Sequence, residues 1–515
     1  MQVFLSFKNV DFTYENSPDA VFENLNFTVG SGWTGVVGIN GSGKSTLLRL
    51  ATGELLPVKG QIYQPCWGLY CPQRTDSAPD GLQDLLDDRR AEAQKLNQTL
   101  GLHPDWVYRW ETLSHGERKR AQIAAALYQH PDFLAVDEPT NHLDNETAKQ
   151  VWRALKLFQG VGLLVSHDRD LLDGLCDQCL FLTPQGIVLR PGGYSEGAIE
   201  AEKEALAAQR QLSKAKHEVA RLQKEFHIRR DQTKKAEGKR SKRGISKKDH
   251  DAKSKVDAAR VADSGSGQRM RQIEGRLEQA MGKRAEIRTQ REFSTGITLG
   301  GAQSQKRILL SLEEQKIPLG NDQYLWIPSL FIQSDARIGI RGPNGAGKST
   351  LISRIVGDFS RTNHNIAYIP QEIDAVQSRL ILEDFLKLPN DSLGMAMTLV
   401  RRLGSDPARL LKSKDPSPGE LRKLMIAACI QDAPNILILD EPTNHMDLLS
   451  VECLENALED CHMALLMVSH DRRFLDRLAE QIWTIQNPKL EGTGDSHAQF
   501  WVLDCSDTNS GINQK

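Results

Sequence analysis

Residues 137–144 read DEPTNHLD, and residues 440–447 read DEPTNHMD. Each copy follows an apolar run, FLAV or ILIL, of the kind that forms a buried strand. Two adjacent carboxylates at the end of such a strand are costly to bury unless a cation or another polar group answers them. The chain builds this arrangement twice, so the surroundings of both copies decide what it is for.

Working outward, three further motifs also recur. GINGSGKST begins at Gly38 and GPNGAGKST at Gly342; SHGE begins at Ser114 and SPGE at Ser417; VSHDR ends at Arg169 and at Arg472. These pairs and the DEPTNH pair all lie 303 or 304 residues apart. Gln73 in CPQ and Gln371 in IPQ differ by 298, a deletion of a few residues in the second copy. Constant spacing in constant order means a duplicated domain. A chain of 515 residues is too long for one core. The reading divides it into a first domain at 1–197, a linker at 198–296, a second domain at 297–500 and a short polar tail at 501–515.

The glycine motifs match the phosphate-loop pattern, each after a strand-like run (WTGVV, ARIGI) and before a helix-like one (TLLRL, TLISRIV). That context implies an α/β fold with two phosphate-loop domains in tandem. Glycines let backbone N–H groups curl around phosphates, and the helix N-terminus favours their charge. The candidate phosphate-binding residues are Gly38, Asn40, Gly41, Gly43, Lys44, Ser45 and Thr46. Their counterparts are Gly342, Asn344, Gly345, Gly347, Lys348, Ser349 and Thr350. Lys44 and Lys348 suit the β- and γ-phosphates, and Ser45 and Ser349 suit Mg²⁺. Ligands of open parallel sheets sit at the carboxyl ends of strands. Asp137 and Asp440 would therefore help hold Mg²⁺, while Glu138 and Glu441 polarise an attacking water. His167 and His470 also follow apolar runs and suit a γ-phosphate contact. Ser114, Gly116 and Glu117, and Ser417, Gly419 and Glu420, open helix-like stretches, where a helix cap and an anion site are both physical readings. A second anion site per domain makes most sense if it serves the nucleotide of the other copy.

The linker differs in composition. Residues 201–300 carry 26 Lys+Arg against 14 Asp+Glu, whereas the chain as a whole has a net charge of -2. A basic middle between acidic flanks points to a polyanionic partner, with a solvated helical surface as the plain alternative. Leu206, Leu212, Val219, Leu222 and Phe226 recur at near-helical steps, so 198–236 reads as a long helix. EGKRSKRGISKKDHDAKSK reads as a basic tip, DSGSG at 263–267 as a break and 268–292 as a returning helix, together a helical hairpin. A disordered linker is the alternative. No apolar stretch reaches the roughly 18 residues of a membrane span, and the start shows no secretory signal. Scattered cysteines, with one CxxC at Cys176 and Cys179, fit a reducing compartment better than a metal site.

Phosphate loop, glutamine loop, SHGE/SPGE signature, carboxylate pair and histidine, in this order and twice over, resemble the ATP-binding cassette family. The DEPTNHLD and DEPTNHMD continuation, the fused pair and the basic linker resemble its ABC-F branch. The resemblance implies an ATPase, with ATP and Mg²⁺ as its small-molecule requirements. It also implies two cassettes meeting head to tail over two ATP molecules. One site would join Lys44, Ser45, Thr46, Gln73, Asp137, Glu138 and His167 to Ser417, Gly419 and Glu420. The other would join Lys348, Ser349, Thr350, Gln371, Asp440, Glu441 and His470 to Ser114, Gly116 and Glu117. Tyr14 would stack on adenine, whereas the equivalent position is Pro318. Pro416 and Pro418 depart from the family's signature. The expected partner is the ribosome, through rRNA and tRNA, and the expected setting is a cytoplasmic monomer without a membrane partner. Gln73 follows Thr46 by only 27 positions, too few for an added helical arm, which favours an antibiotic-protection type over a housekeeping one. A transporter's ATPase subunit and a DNA-associated ATPase are the competing readings.

Overall fold

The computed structural model describes residues 3–507 apart from 16, 65–66, 142, 184–185, 239–263, 287–305, 321–322, 363, 406, 408–409, 411–415 and 487–499. The chain divides into two compact units, residues 1–197 with 293–515, and residues 198–292.

In the first copy the elements run β1 (Leu5–Phe12), β2 (Phe22–Val29), β3 (Gly32–Gly38), α1 (Lys44–Ala51), β4 (Lys59–Tyr63), β5 (Gly68–Cys71), α2 (Leu82–Asp87) and α3 (Ala91–Leu100). They continue as α4 (His115–Tyr128), β6 (Phe133–Asp137), α5 (Asn145–Leu155), β7 (Val161–Val165), α6 (Arg169–Leu175), β8 (Gln178–Thr183) and β9 (Gly186–Pro191). The central sheet has the order β5-β6-β7-β3-β8-β9, beside a three-stranded sheet β2-β1-β4. Its first five strands are parallel and β9 closes it antiparallel. Every residue of β6 and β7 is buried, as continuous apolar runs in a covered parallel sheet should be.

Residues Tyr194–Gly238 form one helix, α7, and Ser264–Glu286 form α8. In the unit 198–292, Val219 and Leu222 of α7 are buried against Ala280 and Leu277 of α8. The apolar stripe is thus shorter than expected, since Leu206 is exposed. The break expected at 263–267 is also corrected, because 264–267 already belong to α8. The basic tip from 239 on, and residues 287–292 of the returning helix, lie outside the described residues.

The second copy contains β10 (Ile308–Leu312), β11 (Gln315–Gly320), β12 (Gln323–Ile327), β13 (Leu330–Gln333), β14 (Arg337–Arg341), α9 (Lys348–Phe359), β15 (Ile366–Ile369), α10 (Ala375–Leu386) and α11 (Asn390–Arg402). It ends with α12 (Pro418–Cys429), β16 (Ile436–Asp440), α13 (Leu448–Glu459), β17 (Ala464–Val468), α14 (Arg472–Leu478), β18 (Gln481–Gln486) and β19 (Phe500–Asp507). Its sheet order β11-β12-β19-β18-β14-β17-β16-β15 contains the same five-strand parallel core. The polar tail expected from residue 501 is a correction. Phe500–Asp507 is a strand, antiparallel to β18 and parallel to β12. Leu503 is buried there, and a strand that covers two others satisfies backbone groups a free tail would leave to water.

Candidate functional site

Each phosphate loop leaves a buried central strand and turns into a helix. Gly43 and Gly347, at the N-caps of α1 and α9, have φ of 90° and 94°. A Cβ on Gly43 would lie 2.7 Å from Val21 Cγ1, and one on Gly347 2.7 Å from Leu319 Cδ2. Only glycine combines that backbone with that closeness. Lys44 Nζ donates to Gly38 O at 2.8 Å and Ile39 O at 3.2 Å, so its ammonium sits across the loop mouth. Lys348 Nζ makes the same contacts to Gly342 O and Pro343 O, at 2.8 and 3.1 Å. Burial lowers the pKa of both ammonium groups. Ser45, Ser349 and Gln73 are exposed at the loops, and Gln371 is half-buried. Thr46 is buried and its hydroxyl meets the Tyr14 hydroxyl at 3.0 Å, which brings Tyr14 to the first loop. Pro318 lies on β11 opposite Tyr324, so the second copy presents no aromatic at the equivalent position.

The carboxylates end their strands beside these loops. Asp137 and Asp440 are buried, and the Tyr70 hydroxyl donates to Asp137 Oδ2 at 3.1 Å. Burial pushes the Asp440 carboxyl up. The chain then turns sharply, with φ of 48° at Glu138 and 47° at Glu441, a left-handed conformation uncommon outside glycine. Burial, helped by Asp137, pushes Glu138 up to about 7. Burial pushes Glu441 up to about 8. His167 Nε2 lies 3.1 Å from Glu138 Oε1, and His470 Nε2 lies 3.5 Å from Glu441 Oε1. The two histidine backbone N–H groups donate to the other glutamate oxygens at 3.2 and 3.1 Å. Burial and the neighbouring lysine lower His167 to about 3 and His470 to about 4. Each site thus pairs a neutral imidazole with a carboxyl poised near neutrality, the condition for a base that must accept a proton.

Ser114 and Ser417 cap α4 and α12 in full capping boxes with Glu117 and Glu420. Both serine backbone N–H groups and both hydroxyls are engaged by those glutamates. Pro418 takes the first helical position, where its missing N–H removes no helix bond.

The two copies meet through their loops. Asn40 Nδ2 donates to His445 O at 2.8 Å, and Asn40 N donates to Asp447 Oδ2 at 3.1 Å. A Cβ on Gly419 would lie 2.5 Å from His445 O and 3.7 Å from Asn40 Nδ2, so the first phosphate loop reaches the second signature. Conversely, Asp144 accepts the Asn344 backbone N–H; burial opposes ionisation of Asp144, yet that bond and Thr147 hold its pKa below the usual range. Asp144 and Asp447, which cap α5 and α13, are the residues the sequence reading quoted without giving them a role. A cavity of about 650 Å³ lies between the copies, lined among others by Glu138, His167, His445 and His470.

These features can be tested against the implied Mg²⁺ and nucleotide. Asp440 Oδ1 is buried without a hydrogen-bond partner, and the buried Glu138 Oε1 and Glu441 Oε1 form no hydrogen bond, having only the histidine Nε2 atoms nearby at 3.1 and 3.5 Å. Among the described residues no cluster of three or more His, Cys, Asp or Glu is arranged for a metal. Orphaned carboxylate oxygens beside a glycine loop, with no complete protein cage, fit an ion that arrives with phosphates and keeps its water. CxxC residues Cys176 and Cys179 are both buried.

The profile of the family described as ABC transporter matches residues 22–141 and 327–444. The ribosome protection protein VmlR of Bacillus subtilis (strain 168) is 31% identical over 501 residues, covering 95% of this chain and 88% of its own. The energy-dependent translational throttle protein EttA of Escherichia coli (strain K12) is 28% identical over 521 residues, covering 88% and 87%. Among solved structures, the archaeal ribosome recycling factor aABCE1, in complex with the ribosomal stalk protein aP1, shares the fold. It has a TM-score of 0.61 at 18% identity, covering 98% of this chain and 91% of that one. No described helix is long and apolar enough to cross a membrane.

Proposed function

The chain belongs to the ABC-F branch of the ATP-binding cassette ATPases and hydrolyses ATP, and from that premise we propose that it is a ribosome-bound factor of the cytoplasm that works as a monomer. Two ATP molecules close its cassettes, and closure moves the basic linker against tRNA and rRNA. Protection of the ribosome from an antibiotic is the form of this activity that the short stretch between Thr46 and Gln73 favours. The observation that carries the reading is the reciprocal contact of the loops, Asn40 with Asp447 and Asn344 with Asp144, which makes each site depend on both copies.

In the first site Lys44 and the loop amides bind the phosphates, and Ser45 and Asp137 would hold Mg²⁺, which supplies charge neutralisation. In the second, Lys348, Ser349 and Asp440 take those roles. Glu138 and Glu441 accept the proton of the attacking water, and His167 and His470 orient it as neutral donors. Linker cations meet RNA phosphates, so affinity should fall steeply with salt.

The variant Glu138→Gln with Glu441→Gln should bind ATP, fail to hydrolyse it and accumulate on ribosomes. Pelleting with ATP through a sucrose cushion reads this directly. A double variant that stays in the supernatant with ATP, or co-purifies with a membrane protein or DNA instead, would overturn the ribosomal reading.

A further inference from the structure

Lys119 and Arg422 are among the most buried cations of the described chain, at 2% and 1% exposure. They are also equivalent, each five residues after its signature serine and 303 residues apart. Neither forms an ion pair among the described residues. Lys119 Nζ instead donates to two backbone carbonyls, Pro72 O at 2.7 Å and Asp137 O at 3.1 Å. Arg422 donates to Gln371 O at 2.6 Å through Nη2, and to Asn444 O through Nη1.

The carbonyls chosen are informative. Pro72 O belongs to the peptide bonded to Gln73, and Gln371 O is on the second glutamine itself. Asp137 O belongs to the peptide that leads into Glu138, whose N–H donates to Val165 O at 2.9 Å. Holding both ends of that region fixes the peptide plane on which the φ of 48° at Glu138 depends. In the second copy the clamp falls one turn later. Asn444 N donates to Glu441 O at 3.2 Å, so Arg422 secures the turn that starts from Glu441. A lysine and an arginine therefore serve the same three segments, signature helix, glutamine segment and carboxylate turn, through different atoms. Burial lowers the pKa of both cations, and the nearby acids, Asp137 and Glu138 at Lys119 and Glu441 and Asp440 at Arg422, only partly oppose it.

We propose that Lys119 and Arg422 are positioning residues, each setting the backbone geometry of the acidic pair in its own cassette from the signature helix that faces the other nucleotide. The inference rests on the roles given above to Glu138 and Glu441. It requires that loss of Lys119 damage the Glu138 site and spare the Glu441 site, with Arg422 doing the reverse.

Single-turnover ATP hydrolysis by the full chain tests this, using Glu441→Gln to isolate the first site and Glu138→Gln to isolate the second. Failure of these two variants to lower hydrolysis would refute the assignment of the carboxylates and is read first. Lys119→Met should then slow the first site about tenfold or more, as expected when a reacting group is misplaced, and change the second less than twofold. Lys119→Arg should restore most of the rate. Arg422→Met should show the mirror pattern. Binding of a fluorescent ATP analogue and the melting temperature report folding, and Lys119→Gln replaces the methionine variant if that one is insoluble. Equal slowing at both sites, no slowing, or a Lys119→Arg variant as slow as Lys119→Met would overturn the proposal.

Discussion

Asp168 follows His167 and caps α6 by accepting the Leu171 N–H at 3.0 Å. Burial first, with Asp170 and Asp471 nearby, pushes its carboxyl up to about 6. An unfolded aspartate titrates near ~3.9. The native state therefore holds the proton more tightly, so the stability linked to this group is complete below ~pH 4 and is lost as pH rises through about 6. Asp168→Asn keeps the capping oxygen and removes the charge. It should stabilise the protein at about pH 7 relative to about pH 5, by about 1 kcal/mol. Thermal unfolding midpoints at the two pH values read the difference, and an offset independent of pH would contradict it. Residue-scale chemistry was also the most legible part of the sequence. The lysine, serine, carboxylates and histidine of each copy lie within short motifs whose strand–loop–helix context is local. Lys119 was not legible, because nothing in RKRAQ distinguishes the one cation that turns inward. Its burial depends on Pro72 and Asp137, far from it along the chain.

At the scale of elements, the strands and helices of both copies follow from apolar runs and caps, but β19 shows where that reading fails. Phe500-Trp-Val-Leu is a strand-forming run, yet it lies far from the other sheet strands and among polar residues, so it read as a tail. The structure places it between β12 and β18 inside an eight-stranded sheet. Deleting residues 500–515 should leave β12 and β18 with open edges and uncover the core residues that Leu503 packs among, such as Leu325 and Ile485. The truncated chain should melt well below the full chain and aggregate on heating. Light scattering during a thermal ramp checks this, and an unchanged melting curve would mean the strand contributes little. The interdomain helices gave the opposite error. The glycines and serines of 264–267 suggested a stop, but they occupy the first turn of α8, where the helix loses least by them.

For the molecule as a whole, the contacts between copies were the least legible, since they join residues about 300 positions apart. They are also unequal. Arg169 forms an ion pair with Glu455, whose side chain is 1% exposed, and Arg477 meets the same carboxylate at 3.0 Å. The Tyr194 hydroxyl donates to Glu452 at 2.7 Å on the same helix. At the equivalent positions of the first copy stand Lys149 and Trp152, which line the cavity instead. Arg472, the counterpart of Arg169, is mostly exposed and, among the described residues, its side chain pairs with Asp476 alone, at 3.9 Å. A buried pair loses more than its own attraction when one partner is removed. Arg169→Ala and Glu455→Gln, singly and together, should show a coupling of about 1–3 kcal/mol in thermal or denaturant unfolding. A coupling near zero would mean that the pair merely coexists.

Arg473 Nε donates to Asp170 Oδ1 at 2.6 Å, and these two residues are each other's equivalents, 303 positions apart. A residue that touches its own counterpart lies on the pseudo-twofold axis relating the copies. Were two first copies from different molecules to pair, Asp170 would face Asp170; two second copies would set Arg473 against Arg473. Either association begins with like charges in contact, and only the mixed pair is attractive. The duplication has thus been given a polarity. Each half is complementary to the other and not to itself, which disfavours association of two like halves from different molecules.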